Sequence, residues 1–262
     1  MRFSVITVTL NAADVIGKTV ESVLIQQFYD LEYVFIDGGS QDETNRIIDR
    51  YQPVLEEKGI SVIHISEKDR GISDAFAKGV RNASGEIIAI LNAGDEMLPG
   101  TLAFLNDHFG DAVDVLYGNV IWHDEARQLE YIKKSKKPEH LAELKYNMVV
   151  QHPATYIRKS AYERYGNYDP DYLYAMDAEL LLRMVCAGAV FQYIDREFTM
   201  FQAGGSSDTH LMEVLKAHAA IAGENGEKPV QIYFHLTKKV IFHHLAHFIR
   251  FHFMKKKKER NN

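Results

Sequence analysis

Gly85-Glu86-Ile87-Ile88-Ala89-Ile90-Leu91-Asn92-Ala93-Gly94-Asp95 is the stretch that decides the fold class. The unbroken apolar run from Ile87 to Leu91 fits a strand buried on both faces, as in parallel sheets covered by helices. It stops abruptly at a small polar loop that ends in an acid. In open α/β sheets, ligands sit in the crevice outside the carboxyl ends of the strands. Asn92 and Asp95 are therefore expected at a ligand-binding edge.

The sequence before this strand alternates in the same way. Residues 4–10 are β-rich and apolar, and Asn11-Ala12-Ala13-Asp14 follows as a turn. Residues 15–27 have helical spacing, with Val15, Thr19 and Val23 beside a second stripe of Ile16, Val20 and Leu24. Residues 32–36 form a second strand that ends at Asp37-Gly38-Gly39-Ser40. A helix over 42–51, a strand over 61–65, the loop Asp69-Arg70-Gly71 and a helix over 73–82 complete the half. This alternation predicts an α/β fold: a Rossmann-like, mostly parallel sheet with helices on both faces. Strand ends near 37, 69 and 95 each bring an aspartate to one edge. A single acid there reads as a helix cap; three read as a site.

The second half is less regular. Residues 113–122 and 154–158 are strand-like, and 178–186 is a helix with Leu181, Leu182 and Val185 inward. Lys133-Lys134-Ser135-Lys136-Lys137 reads as a solvated loop, and residues 201–207 as a flexible small-residue loop. After Pro229 the pattern becomes one long helix rich in Phe, Ile, Leu and His, ending in a basic cluster at Lys255–Arg260. There are no internal repeats.

Composition narrows the function classes. The 262 residues are 46% hydrophobic, enough for a large core. A net charge of −6 argues against nucleic-acid binding by bulk electrostatics. The single cysteine, Cys186, rules out an intrachain disulfide and fits a reducing compartment. A strand pattern from the first residues predicts no signal peptide. No uncharged apolar run approaches the roughly 20 residues of a membrane span. A cytoplasmic protein is expected.

The strand-end residues suggest specific chemistry. The glycines of Asp37-Gly38-Gly39-Ser40 let a ligand approach the backbone, and the acid can accept hydrogen bonds from a nucleoside. An Asx turn capping the next helix explains the same residues. Asp95 offers a hard oxygen for Mg2+ or Mn2+ bridging a diphosphate; a turn acid before Leu98-Pro99-Gly100 is the plainer reading. No glycine-rich phosphate loop is present. Asp177 opens a helix, where an acid complements the dipole or serves as a general base. Spacing leaves these alternatives open.

Seven motifs in order resemble the family 2 glycosyltransferases, particularly the bacterial polysaccharide and lipopolysaccharide type. They begin with residues 4–11 and the turn at 32–44. Glu67-Lys68-Asp69-Arg70-Gly71-Ile72-Ser73-Asp74 and Leu91-Asn92-Ala93-Gly94-Asp95 follow. His152-Pro153-Ala154-Thr155, Tyr165-Gly166-Asn167-Tyr168-Asp169 and Met176-Asp177-Ala178-Glu179 complete the series. The resemblance covers residues 3–207 and implies a GT-A fold and an inverting transfer from a nucleotide-diphosphate sugar, with a UDP-sugar the first candidate. It implies a donor site at Thr9, Asn11, Asp37, Gly38, Asp69, Asn92 and Asp95, with Asp95 at a divalent cation (Mn2+ or Mg2+). Asp177 would be the base that deprotonates the acceptor hydroxyl. His152, Gly204, Gly205 and Ser206 would line the acceptor side. The chain departs from the family loop at Asn92 and Gly94, where acids are usual.

On this reading residues 1–207 form the GT-A domain, with a donor half to about 110 and an acceptor half from 111. Residues 208–262 form a helical extension with a basic tail. The apolar helix and lysine cluster across 230–260 match the two-signal arrangement for peripheral membrane binding, which suits a lipid-linked glycan acceptor at the inner face of the cytoplasmic membrane. A helix packed on the domain is the alternative. His243 and His247 have i,i+4 spacing but lack a third zinc ligand. Two rival functions remain. A nucleotidyltransferase would want a glycine-rich, basic N-terminal loop, which residues 10–14 do not offer. A catalytically weak homologue acting as a sugar-nucleotide-binding or complex subunit would fit the thinned loop at Asn92 and Gly94.

Overall fold

The computed structural model describes residues 2–28, 30–204 and 210–238. The first half follows the expected alternation. Strands β1 (Phe3–Thr9), β2 (Leu31–Asp37) and β4 (Ile87–Ile90) are buried at every position, as continuous apolar runs demand. β3 (Ser61–Ser66) lies at the edge and is only partly covered. β1 pairs in parallel with β2 and with β4, and β2 pairs in parallel with β3. All four carboxyl ends therefore point the same way.

Among the described residues nine strands form one sheet. Its order is β3-β2-β1-β4-β8-β6-β9-β5, with β7 (Leu129–Lys133) paired to β6 (Val115–Asp124). β8 (Thr155–Arg158) runs antiparallel to both β4 and β6, so β6 regains the direction of β4. β9 (Phe191–Gln202) is parallel to β6, and the two-residue β5 (Glu96–Met97) is antiparallel to β9. The mostly parallel α/β expectation stands, with three reversed strands: the short β5, and β7 and β8 in the second half.

Neighbouring residues of β1 point to opposite faces, and each face has its own core. Val5 belongs to the buried cluster that holds Ile16 and Val20 of α1 (Ile16–Leu24) and Leu55 of α2 (Thr44–Glu57). Ile6 belongs to the buried cluster that holds Phe76 of α3 (Ile72–Asn82) and Leu180 and Leu181 of α6 (Met176–Cys186). Helices α4 (Thr101–His108), α5 (Lys159–Tyr165) and α7 (Leu211–Glu224) complete the labelled set.

Several sequence readings need correction. The 42–51 helix starts at Thr44 and runs through Pro53 to Glu57. Lys133 ends a strand, and Ser135 is buried, bonded through its hydroxyl to the Gly118 carbonyl at 2.5 Å, so 133–137 is not simply a solvated loop. Phe201 and Gln202 belong to β9 rather than to the following loop. Residues 229–238 are helical, as expected after Pro229; the rest of that helix, the basic cluster and the paired histidines lie outside the described residues. Among the described residues no helix is long and apolar enough to cross a membrane.

Candidate active site

Parallel register delivers Thr9, Asp37 and Ser66 side by side, because Asp37 pairs with Thr9 on one flank and Ser66 on the other. Asp37 is fully buried and saturated with donors. Oδ1 accepts from the Thr9 hydroxyl at 3.0 Å and from the Ser40 hydroxyl. Oδ2 accepts the Gly39 and Ser40 N–H groups, the Asn45 amide at 2.9 Å and the Ser66 hydroxyl at 2.7 Å. Burial alone would raise this carboxyl, but the bonds from Ser40, Ser66 and Asn45 outweigh it and hold it at about 2. Asp37 is an anion that fixes the turn. The sequence pointed to the acid but missed Asn45 and Ser66, whose role depends on register.

Asn11, at φ +51°, completes the same wall. Its N–H donates to the Ser40 hydroxyl at 2.7 Å, and its side-chain oxygen accepts the Gln41 N–H at 2.8 Å. Asp69 arrives from the loop before α3, with Oδ1 accepting the Gly71 N–H at 2.9 Å. Its carboxylate lies directly over Gly38: a Cβ there would come within 2.6 Å of Asp69 Oδ2. Gly38 is thus needed for close approach, here of Asp69 itself. Gly38→Ala is expected to displace the Asp69 carboxylate, seen in a crystal structure of the variant, with the circular dichroism spectrum unchanged.

The Asn92–Asp95 loop is braced on α1, where the Gly94 N–H donates to the Thr19 hydroxyl at 2.8 Å. Asp95 is 4% exposed, and its Oδ1 accepts the Gln202 N–H of β9 at 3.0 Å. Oδ2 is buried with no hydrogen-bond partner, and so is Asn92 Oδ1. Burial raises the Asp95 carboxyl to about 7, against the opposing Gln202 donation. Two orphaned acceptor oxygens in one loop make a donor set suited to a hard cation, which commonly keeps one or two carboxylates plus waters and substrate phosphates. Among the described residues no cluster of three metal-ligating side chains adds to it.

Asp177 occupies the first turn of α6, behind Ala175 in the left-handed region. Its side chain is 21% exposed, and Oδ1 lies 3.3 Å from His152 Nε2 without the alignment of a hydrogen bond. The same nitrogen is 2.9 Å from the Tyr168 hydroxyl, and Phe76 stacks on the imidazole with centroids 5.4 Å apart. Burial raises the Asp177 carboxyl, and the His152 charge opposes it in part. His152, expected on the acceptor side, therefore touches the candidate base. Phe76 and Tyr168, which support it, carried no separate signal in the sequence.

The Asp177 and Asp95 regions are joined through β9. The Thr199 hydroxyl bonds the Pro153 carbonyl, next to His152, at 2.6 Å, and Gln202 holds Asp95 three residues later. Gly204 follows at φ +97° and is exposed. Gly205 and Ser206 lie outside the described residues.

With this geometry in place, similarity to known proteins is decisive. The family model described as "Glycosyl transferase family 2" matches residues 4–166. The chain belongs to glycosyl transferase family 2. A PGL/p-HBAD biosynthesis glycosyltransferase of Mycobacterium tuberculosis is 37% identical over 124 residues, covering 45% of this chain and 46% of that protein. The chain thus spans about half the length of the curated relatives of this kind that it matches. The mannosyltransferase PcManGT of Pyrobaculum calidifontis, solved in complex with GDP-Man and Mn2+, superposes at a TM-score of 0.67. Identity is 18%, over 91% of this chain and 68% of that one. TarS residues 1–349 from S. aureus, solved with UDP-GlcNAc, gives 0.62 at 18% identity over 91% and 71%. These structural likenesses show a GT-A fold, as the motif series implied.

Proposed function

We propose that this family 2 protein transfers a sugar, with inversion, from a nucleotide-diphosphate sugar to a hydroxyl of a glycan acceptor. The observation that carries this reading is the pairing of two strained acids, Asp95 and Asp177, linked through β9 and His152 at the carboxyl edge of the sheet. Both carboxyls are raised by burial, the condition expected of groups kept for function rather than stability. Relatives bound to UDP-GlcNAc and to GDP-Man support a sugar nucleotide as donor.

Asp177 takes the proton of the acceptor hydroxyl as its oxygen attacks the anomeric carbon. The bond from that carbon to the diphosphate oxygen breaks, and the nucleoside diphosphate leaves. Thr9, Asn11, Gly38 and Asp69 form the wall for the nucleoside, with Asp37 fixing its turn. Asp95 and Asn92 would hold a divalent cation, which supplies charge neutralisation of the leaving diphosphate. The test is substitution of Asp177, argued in the Discussion.

The acceptor is proposed to be membrane-linked. Helix 229–238 exposes Val230 by 71%, Tyr233 by 72% and Phe234 by 66%, an i, i+3, i+4 stripe, and the sequence beyond it is basic. Wild-type protein is expected to sediment with anionic vesicles, and a variant lacking residues 230–262 to stay in the supernatant. Equal partitioning would contradict this attachment.

A further inference from the structure

Three aromatic rings form a row across adjacent strands beside Asp95. Register sets Tyr131 of β7 opposite Trp122 of β6, and Trp122 opposite Phe201 of β9. The Tyr131 and Trp122 rings stack with centroids 6.2 Å apart, and Trp122 and Phe201 lie 4.9 Å apart. Residues directly opposite across strands share a sheet face. On the far side of β9, β5 pairs Glu96 with Met200 and Met97 with Thr199. The ladder ends there, and the Asp95 carboxylate takes the N–H of Gln202, the residue that follows Phe201. The inner ring of the row, Phe201, is thus the chain neighbour of the residue that anchors the candidate cation carboxylate. The row extends outward over three strands spaced about 4.8 Å apart, the reach of a short oligosaccharide.

The outer end is open: Tyr131 is 45% exposed on an edge strand. Cross-strand aromatic pairs do stabilise hairpins, but that role gives no reason for the row to end next to the residue that anchors Asp95. A pyranose ring has a face of polarised C–H bonds and a rim of hydroxyls. The C–H face packs on the negative face of an aromatic ring, by the electrostatics that also draw cations there. Lys133 Nζ lies 4.7 Å over one face of the Trp122 ring, so a sugar stacks on the opposite face or displaces that ammonium. We propose that Phe201, Trp122 and Tyr131 form a stacking platform for the sugar units of the acceptor glycan. The proposal rests on the transferase reading above and adds the ligand class and the residues that bind it.

Trp122 is the only tryptophan in the chain, so its fluorescence reports the platform without a label. The full-length protein is titrated with mono- and disaccharides of gluco, galacto and manno configuration. A saturable change is expected with at least one, retained in Asp177→Asn and lost in Tyr131→Ala. In transfer assays with membrane glycolipid extract as acceptor, Trp122→Ala and Tyr131→Ala are each expected to raise acceptor KM about tenfold, the effect of losing an aromatic anchor. Donor KM and kcat at saturation stay near wild type, and Trp122→Phe restores acceptor KM. Tyr131, exposed on the edge, keeps the test valid if Trp122→Ala destabilises the fold. No fluorescence response to any saccharide, or unchanged acceptor KM in both Ala variants, overturns the platform. Saccharide binding without transfer from any sugar nucleotide overturns the transferase reading and leaves the platform standing.

Discussion

Asp177→Asn is expected to lower transfer about a thousandfold while leaving donor affinity and the fold intact, since a positioned general base contributes roughly 10²–10⁴. The geometry gives the reason. Asn keeps the shape of the side chain in the first turn of α6 but cannot accept a proton. The wild-type carboxyl is raised by burial, so removing its charge does not weaken the native state. Loss of turnover with an unchanged or higher melting temperature separates a base from a structural acid. The acid limb of kcat/KM should lie above the ordinary aspartate range. His152 pulls the Asp177 carboxyl down, so His152→Gln should move that limb to higher pH. A limb unmoved by His152→Gln, or wild-type turnover in Asp177→Asn, would remove Asp177 from the reaction.

Asp95→Asn should stabilise the protein at pH 8 and make no difference near pH 4. Burial pushes the folded-state carboxyl up to about 7, from an ordinary aspartate value of 3.8. Between these values the native state holds a proton that the unfolded chain releases. Stability from this group is therefore fully present below pH 4 and is lost as pH rises through 7. The difference of about 3 pH units corresponds to an upper bound of about 4 kcal/mol. In a chain of this size that upper bound is about 8–16 °C of melting temperature at roughly 2–4 °C per kcal/mol. Thermal melts of both proteins from pH 4 to 8 give the comparison. Equal melting temperatures at pH 8 would show that burial does not strain Asp95. A functional acid that costs stability is the trade-off expected where a site is held ready for a cation.

The first half of the fold was legible because its physics is local. Fully buried parallel strands must be continuous apolar runs, as at Ile87–Ile90, and each ends where a polar loop begins. β9 was missed because it is only partly covered and carries charge: Asp195 is held by Lys134, and Arg196 lies over Phe104. A register shift near Asn119 breaks its partner's alternation as well. α2 was read as ending at residue 51, although tertiary packing carries it through Pro53 to Leu55, which is fully buried. Within the site, the acids were visible as residue types at strand ends. Their supports were not: Asn45 and Ser66 reach Asp37 only through register, and His152 meets Asp177 only after β8 and α5 turn the chain back. The departures at Asn92 and Gly94 take on a structural meaning, because Asn92 contributes an unpartnered oxygen next to the one carboxylate that remains.

Thermal melts at pH 8 with UDP-, GDP- and dTDP-sugars, each with and without Mn2+, test the sugar-nucleotide site most directly. A ligand that binds only the native state raises the melting temperature by mass action. At least one sugar nucleotide with Mn2+ should stabilise wild type, and the Mn2+-dependent part of that shift should vanish in Asp95→Asn. A panel that stabilises neither protein, or stabilises both equally, would contradict a donor site built around Asp95.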